Sequence, residues 1–276
     1  MPLPMRSRAS SSRKWNSFCN VRVFIGIPSA GNPAKPFLES IARLEIPPAV
    51  VTAGHATVTG NFAPGQRELI VRKALEAQAD AVLMLDDDIV VPPSALAELL
   101  GVLERDPQCA VAGALYYARD GLRPMVAANW HANDTMSAYV PAFDDRTPVE
   151  VDAVGFGTML LRTSALQALA PPYFNTQVFV QSSASQVRVC NEDYLLCERL
   201  RKAGHRVVLH PGVRCGHYDR ESGITFPQRW EEPGATNRPR MMVAVNGVPE
   251  LHAYDASVAA GREVHEIGTL DYLIVD

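Results

Sequence analysis

A chain of 276 residues with a formal charge of −4 lacks the overall basic surface that dominates non-specific nucleic-acid binding. Its composition, 47% hydrophobic and 20% charged, is ordinary for a soluble globular protein that buries a substantial core. No apolar run reaches the roughly 18–20 residues that cross a bilayer, so we expect no transmembrane segment. The overall charge does not indicate a nucleic-acid partner.

The first 20 residues differ from the rest of the chain, because they hold four basic residues and no acidic one. We predict a disordered basic tail over 1–20, with a basic arm that touches a polyanion or an anionic membrane as the alternative. The tail has no apolar stretch of about 7–15 residues, as a secretory signal would need. Five cysteines, an odd number without framework spacing, indicate reduced thiols in a cytoplasmic protein.

The first half of the sequence alternates apolar strands with amphipathic helices. The predicted strands cover 21–27, 49–52, 81–85 and 109–113, and the predicted helices cover 36–44, 66–79 and the stretch from Ser94, as N-cap, to about 104. This alternation predicts an α/β fold with a mainly parallel sheet and helices on both faces.

The second half is less regular. Loops with room for one hairpin are predicted over 114–150, and strands over 151–154 and 158–161 flank two glycines. A helix over 192–203 is marked by Asn191 as N-cap and Gly204 as the stop, and a strand over 206–209 follows it. Strand signals beyond 225 are weak. Without internal repeats or an interior linker, we expect one domain.

The sharpest chemical feature is the aspartate triplet, Asp86, Asp87 and Asp88, directly after an apolar strand. Ligands bind at the carboxyl edge of parallel α/β sheets. Strand alternation would turn Asp86 and Asp88 to one side and Asp87 away. Two carboxylates aimed at one spot repel each other unless a cation lies between them, and oxygen ligands suit Mg²⁺ or Mn²⁺. We therefore predict a metal site here, the alternative being a polar loop.

Three other features are open to two interpretations each. Glu192 and Asp193 open a helix, where the macrodipole alone favours acidic residues. His217 is either structural or completes a carboxylate site as a neutral imidazole that favours Mn²⁺, whereas His210 at a strand end suits packing. The glycines of Gly155-Phe156-Gly157 serve either a turn or close approach of the backbone to a ligand.

Taken in order, these motifs resemble the GT-A fold glycosyltransferases, especially the broad family 2-like group. The resemblance covers residues 21–220 and leaves 221–276 without a counterpart. It lies in Pro28-Ser29 after the first strand, GQRELI (65–70), LMLDDDIVVP (83–92), VGFGTMLLR (154–162), NEDYLLCERLRKAG (191–204) and HPGVRCGH (210–217).

The resemblance implies a metal-dependent transferase that moves a sugar from a nucleotide-sugar donor to an acceptor hydroxyl. Although the overall charge does not indicate a nucleic-acid partner, a modified nucleic acid stays open as an acceptor. Mn²⁺ or Mg²⁺ would bind Asp88, with Asp86 and His217 as further candidates. Asp193 would be the general base, with Glu192 beside it, and the sugar would be transferred with inversion, retention being the alternative. The candidates for substrate binding are Pro28, Ser29, Arg67, Asp86, Asp87, Gly155 and Gly157.

The same motifs leave three other functions open. A haloacid-dehalogenase-like phosphatase also places Asp-x-Asp after an apolar strand, but that motif usually opens its fold. A sugar nucleotidyltransferase needs a glycine-rich loop after the first strand, and residues 28–36 hold a single glycine. A catalytically inactive GT-A-like binding protein is the third alternative. Residues 221–276 are expected to pack on the same domain, or to form an acceptor lid or a homo-oligomer contact.

Overall fold

The computed structural model describes residues 20–119, 121, 124–127, 144, 146–181, 186–228, 230, 240–245, 248–253, 264–267 and 270–275. The predicted basic tail, apart from Asn20, lies outside the described residues, and so does Cys19. The other four cysteines are buried free thiols: Cys109, Cys190, Cys197 and Cys215.

The helices occupy the places that the sequence pattern predicts. They are α1 (Lys35–Ile41), α2 (Ala63–Glu76), α3 (Ala95–Arg105) and α4 (Glu192–Lys202), with a 3₁₀ helix at Thr163–Ala168. The helix α2 begins three residues before its predicted start, with Pro64 in the first turn, where a missing N–H costs nothing. Gly204 follows α4 at φ +88° and provides the left-handed residue that ends the helix.

Fourteen strands lie between residues 21 and 226 of the described chain. They are β1 (Val21–Ser29), β2 (Val50–Thr59), β3 (Ala81–Leu85), β4 (Ile89–Val90), β5 (Cys109–Leu115), β6 (Val126–Ala127), β7 (Val149–Val151), β8 (Ala153–Val154), β9 (Thr158–Arg162), β10 (Gln177–Gln181), β11 (Gln186–Cys190), β12 (Arg206–Arg214), β13 (Gly216–Tyr218) and β14 (Thr225–Phe226).

A seven-stranded sheet forms the centre of the fold, in the order β2-β1-β3-β9-β5-β12-β7. The strands β2, β1, β3, β5 and β12 run in one direction, while β9 and β7 run the opposite way. The prediction of an α/β fold with a mainly parallel sheet is therefore confirmed. Its physical basis is clear in β3 and β5, where every residue is buried because helices cover both faces.

Two clusters of apolar side chains fill the two faces of this sheet. One cluster contains the buried apolar side chains of α2 (Ile70, Val71 and Ala74) and of α4, together with Val82 and Met84 of β3. The other contains those of α1 and α3, together with Leu83 and Leu85. Alternate residues of β3 thus point into opposite layers, and the strand delivers its following residues to the carboxyl edge of the sheet.

A short three-stranded sheet, in the order β14-β13-β4, lies beside that edge. In it Gly216 pairs with Val90 and His217 pairs with Ile89, in antiparallel register. Because β4 directly follows the aspartate triplet, this pairing sets His217 next to the triplet.

The C-terminal residues form a further sheet. Its strands are β15 (Arg240–Val245), β16 (Val248–Ala253), β17 (Val264–Ile267) and β18 (Leu270–Val275), in the order β16-β15-β18-β17. Within residues 221–230, β14 pairs with β13, and the ring of Trp230 meets that of Tyr117 edge to face at 5.7 Å. The boundary at 220 and the role of 221–276 stay predictions.

None of the helices in the described parts of the chain is long and apolar enough to span a membrane.

Candidate active site

The aspartate triplet forms a tight turn, and hydrogen bonds to three other segments hold its backbone in place. Asp86 N–H donates to the carbonyl of Gly157 at 2.9 Å, and Ile89 N–H closes the turn onto the Asp86 carbonyl at 3.1 Å. The carbonyls of Asp87 and Asp88 each accept a 2.8 Å hydrogen bond, from Ala34 N–H and Tyr218 N–H. The backbone positions from which the three carboxylates extend are therefore fixed, although the triplet lies in a loop.

Asp86 and Glu192 are held by one buried guanidinium group. Arg67 Nη2 donates to both carboxylate oxygens of Asp86, at 2.7 and 2.9 Å, and its Nη1 donates to Glu192. Only 7% of the Arg67 side chain is exposed. Burial alone would lower the pKa of Arg67, but the surrounding acidic groups, first Asp86 and then Glu192 and Asp193, outweigh that effect and raise it. This ion pair joins the aspartate triplet to the first turn of α4.

The helix α2 places Arg67 at this point because its first turn is fixed to the strand ends. The side chain of Gln66 is buried, and its amide donates to the carbonyls of Ser29, Val58 and Gly60 at 2.6, 2.8 and 3.2 Å. The next residue, Arg67, then projects toward the carboxyl edge of the sheet.

Asp193 follows Glu192 in α4 and lies in the same group of charges. It is partly exposed, and Tyr194 N–H donates to its carboxylate at 2.8 Å. Burial, followed by the negative charge of Glu192, raises the pKa of Asp193 to about 7, while Arg67 opposes the rise. A carboxyl group that titrates near neutral pH can accept a proton from a substrate hydroxyl.

The side chain of Asp87 has different hydrogen-bond partners from that of Asp86. Its carboxylate accepts hydrogen bonds from the Ser29 hydroxyl and, at 2.9 Å, from Arg220 Nη2. Ser29 Oγ in turn accepts from Gly31 N–H at 3.0 Å, and Arg220 also donates to the carbonyl of Asn32. The side chain of Asp87 thus ties the loop after β1 to the segment after β13.

Asp88 faces His217 and Arg119. Its Oδ2 atom lies 3.5 Å from His217 Nε2 and accepts a hydrogen bond from Arg119 Nη2. Burial alone would raise the pKa of Asp88, but hydrogen bonds with His217 and Arg119 outweigh it and hold the pKa below its ordinary value. The other ring nitrogen, His217 Nδ1, lies 2.9 Å from the carbonyl of Tyr117, which can only accept. Nδ1 therefore carries a proton.

Gly155 and Gly157 are explained by packing against Tyr116. A Cβ atom on Gly155 would come within 2.1 Å of the Tyr116 hydroxyl, and one on Gly157 within 2.8 Å of the same ring and 3.0 Å of Ile89. Gly157 N–H also donates to the Tyr116 hydroxyl at 3.0 Å. Since the Gly157 carbonyl anchors Asp86, the two glycines set the position of the triplet.

The family model described as Glycosyltransferase like family 2 matches residues 41–232, which is more than half of the chain. The chain belongs to this glycosyltransferase family. The resemblance inferred from the motifs is thereby confirmed, and the protein is an enzyme, so the phosphatase and inactive-binder alternatives are set aside.

Comparison with solved structures agrees with the fold of this transferase. A197 from STIV aligns with a TM-score of 0.51 at 16% identity, over 78% of this chain and 97% of A197, and shows the shared fold. A structure of GalNAc-T7 with UDP, GalNAc and Mn²⁺ aligns with a TM-score of 0.47 at 10% identity, over 75% of this chain and 45% of GalNAc-T7. No curated protein sequence matches the transferase.

Most of the predicted site residues lie together at the carboxyl edge of the sheet. Contacts link Ser29, Arg67, the aspartate triplet, Glu192 and His217, while Pro28 lies in β1 opposite Val58 of β2. The reason given for the orientation of the triplet was wrong, because Asp87 and Asp88 form a turn and strand alternation does not apply to them. His210 is buried 3.6 Å from Glu98 of α3, as expected of a packing residue.

Sequence reasoning missed two arginines and a tyrosine. Arg119 follows β5 and Arg220 follows β13, and each pairs with an aspartate of the triplet. Tyr116 fills the space beside the two glycines and meets the His217 ring edge to face, with 5.7 Å between ring centres. No local signal marks these residues, because their partners lie far away in the sequence.

Proposed function

We propose that this transferase moves a sugar from a nucleoside diphosphate sugar to an acceptor hydroxyl, with Asp193 as the general base and inversion at the anomeric carbon. One observation carries the proposal. Asp193, whose pKa is about 7, lies in the first turn of α4. Glu192 in the same turn pairs with Arg67, which also pairs with Asp86 at the carboxyl edge of the sheet. A base beside an acidic donor site is the arrangement that such a transfer requires.

The charges at the edge of the sheet favour a divalent cation. Five carboxylates, those of the triplet with Glu192 and Asp193, share three guanidinium groups, those of Arg67, Arg119 and Arg220. The excess of negative charge is relieved when a cation binds. Mn²⁺ and Mg²⁺ are the cations that such oxygen ligands suit.

Asp88 and His217 are the pair that fits this cation best. Because His217 Nδ1 donates to the Tyr117 carbonyl, Nε2 is the ring nitrogen that can bind a cation, and it lies 3.5 Å from Asp88 Oδ2. A metal-ligating histidine usually has such a backbone partner on its other nitrogen. Both oxygens of Asp86 are instead held by Arg67, so we propose that Asp86 supports the site without binding the metal.

The remaining ligands would come from the donor. Within the described ranges, no group of three or more histidines, cysteines, aspartates or glutamates is placed to hold a metal ion. A two-residue site leaves coordination positions for diphosphate oxygens and water, as is usual for Mg²⁺. The bound metal would offset negative charge on the leaving diphosphate.

Asp193 performs the proton transfer in this scheme. As the acceptor oxygen bonds to the anomeric carbon, its proton passes to the Asp193 carboxylate, and the bond from that carbon to the diphosphate oxygen breaks. The acceptor approaches opposite the leaving group, which inverts the anomeric configuration. Glu192 and Arg67 hold the helix that carries Asp193, and contacts of Pro28, Ser29 and the two glycines with the substrate stay predictions.

Calorimetric titration tests the donor site. The purified protein is titrated with UDP, GDP, ADP, CDP and dTDP in Mn²⁺ and then in EDTA. We expect one or more of these nucleotides to bind in Mn²⁺ and not in EDTA, and the binding to disappear in Asp88→Asn and His217→Ala.

Asp80→Asn is the matched control, because it removes the same charge at the opposite end of β3, where Asp80 accepts from Arg22 N–H at 2.9 Å. The control should bind as the wild type does. Nucleotide binding that persists in EDTA and in Asp88→Asn would rule out the proposed metal site. Absence of binding to every nucleotide in Mn²⁺ would overturn the donor site itself.

A further inference from the structure

Two arginines beside the aspartate triplet differ from Arg67 in their exposure. The side chain of Arg119 is 52% exposed and that of Arg220 is 35% exposed, against 7% for Arg67. Arg119 follows β5, at the carboxyl edge of the main sheet. Because its guanidinium group is half-exposed, Arg119 leaves its partner Asp88, whose side chain is 10% exposed, more readily than the buried Arg67 leaves Asp86.

Arg119 and His217 converge on a single oxygen atom. Asp88 Oδ2 accepts the hydrogen bond from Arg119 Nη2 and faces His217 Nε2 at 3.5 Å. A divalent cation bound between Asp88 and His217 would need this same oxygen. The guanidinium group and the cation therefore compete for it, since like charges at contact distance repel.

Arg220 is held more firmly than Arg119. It donates to the Asp87 carboxylate at 2.9 Å and to the carbonyl of Asn32, two acceptors from separate segments. Among the described residues, the ion-pair partner of Arg220 is Asp87 and not Asp88. Arg220 therefore provides a comparison residue with the same charge beside the same turn.

We propose that Arg119 exchanges partners when the donor binds: without the donor it neutralises Asp88, and with the donor it binds the diphosphate. The inference rests on the proposed function, because it takes the cation and the diphosphate from that proposal. A guanidinium group released from Asp88 stays within its own side-chain length of this carboxylate, beside which the diphosphate must lie. Its planar fork suits two phosphate oxygens at once.

The exchange predicts opposite effects on two affinities. In Arg119→Met, the affinity for Mn²⁺ alone should rise about twofold to fivefold, as expected when an exposed ion-pair partner is removed. The affinity of the Mn²⁺-loaded protein for the nucleoside diphosphate that the calorimetric titration selects should fall about tenfold to a hundredfold, because a charge-assisted hydrogen bond is lost. A residue that only stabilised the loop would not move these affinities in opposite directions.

Both affinities can be measured without turnover. Mn²⁺ binding is followed by electron paramagnetic resonance of the free ion, and nucleotide binding by calorimetry, both in about 0.15 M salt to screen distant charges. In Arg119→Lys the competing charge remains, so Mn²⁺ affinity should stay near the wild-type value while nucleotide affinity falls. In Arg220→Met, Mn²⁺ affinity should change by less than about twofold.

The outcomes separate this inference from the function on which it rests. Wild-type binding of Mn²⁺ and nucleotide with both affinities unchanged in Arg119→Met would overturn the inference alone. An equal gain in Mn²⁺ affinity in Arg220→Met would also overturn it, by showing a general charge effect. A wild-type protein that binds neither Mn²⁺ nor any of the nucleotides would overturn both proposals.

Discussion

The two ends of the aspartate triplet have opposite environments. At one end, Asp86 meets the buried Arg67, which also holds Glu192 and through it the helix α4. At the other end, Asp88 meets the exposed Arg119 and faces a histidine ring. The same residue type thus belongs to a fixed internal ion pair at one end and to a replaceable one at the other. We infer that the first end positions the base and the second receives the donor.

The strongest test of this division is Asp193→Asn. If Asp193 is the base, kcat should fall about 10²-fold to 10⁴-fold, since asparagine cannot take the proton. The metal-dependent affinity for the nucleotide should stay within about twofold of the wild type, because that site lies at the other end of the triplet. Initial rates of sugar transfer and calorimetry on the same preparation measure both. Near-normal turnover would remove Asp193 from the mechanism.

Protein stability should separate the two ends next. Arg67→Met leaves Asp86 and Glu192 without their buried cation and should lower the free energy of unfolding by about 3–5 kcal/mol. Arg119→Met removes a half-exposed partner from Asp88, which still faces His217, so it should lower this free energy by only about 1 kcal/mol. Urea denaturation followed by circular dichroism gives both values. Equal losses in the two variants would contradict the distinction between a fixed and a replaceable ion pair.

The pH dependence of activity tests the charges around the base. In the wild type, kcat/KM should fall about tenfold per pH unit below a midpoint of about 7, where Asp193 becomes protonated. Glu192→Gln removes a negative charge that raises the pKa of Asp193, so the midpoint should move to lower pH. Glu198→Gln, a buried residue further along α4, is the control and should leave the midpoint unchanged. A midpoint that rises in Glu192→Gln would refute the assignment.

The smallest expected effect concerns the packing that fixes the Asp86 end. Gly157→Ala should lower the free energy of unfolding by about 1–3 kcal/mol, because its Cβ would meet the Tyr116 ring at 2.8 Å and Ile89 at 3.0 Å. Gly101→Ala in the middle of α3 is the control. Its Cβ would meet only the end of the Arg105 side chain, so it should stabilise the helix by about 0.5–1 kcal/mol. Thermal denaturation compares them, and equal signs would exclude the packing explanation.

Local signals made part of the fold predictable. The bounds of α4 follow from Asn191, directly before it, and Gly204, two residues after its end, and β3 follows from five consecutive apolar residues. The strand β2 was predicted to end at 52 but continues to Thr59, since Gly54 accommodates a bulge opposite Phe24 instead of a break. The pattern of apolar residues does not predict strand direction either, because β9 is as uniformly buried as its antiparallel neighbours β3 and β5.

The site was predictable where its chemistry was continuous in sequence. The aspartate triplet and the pair Glu192-Asp193 are runs of adjacent acidic residues, which can be recognised in the sequence alone. The partners of the triplet cannot be recognised in this way, because Arg119 lies 31 positions from Asp88 and Arg220 lies 133 positions from Asp87. Arginines in irregular segments look alike in sequence, and only the completed fold selects these two.

The pairing of β4 with β13 has a consequence for the order in which the molecule can be completed. It joins the strand after the aspartate triplet to a strand that is synthesised much later, after Glu192 and shortly before Arg220. A nascent chain that ends before these residues carries three adjacent carboxylates that lack several of their partners. Closing so long a loop costs entropy before its contacts compensate. During synthesis on the ribosome, the aspartate triplet therefore stays incompletely paired until residues 216–220 have been made.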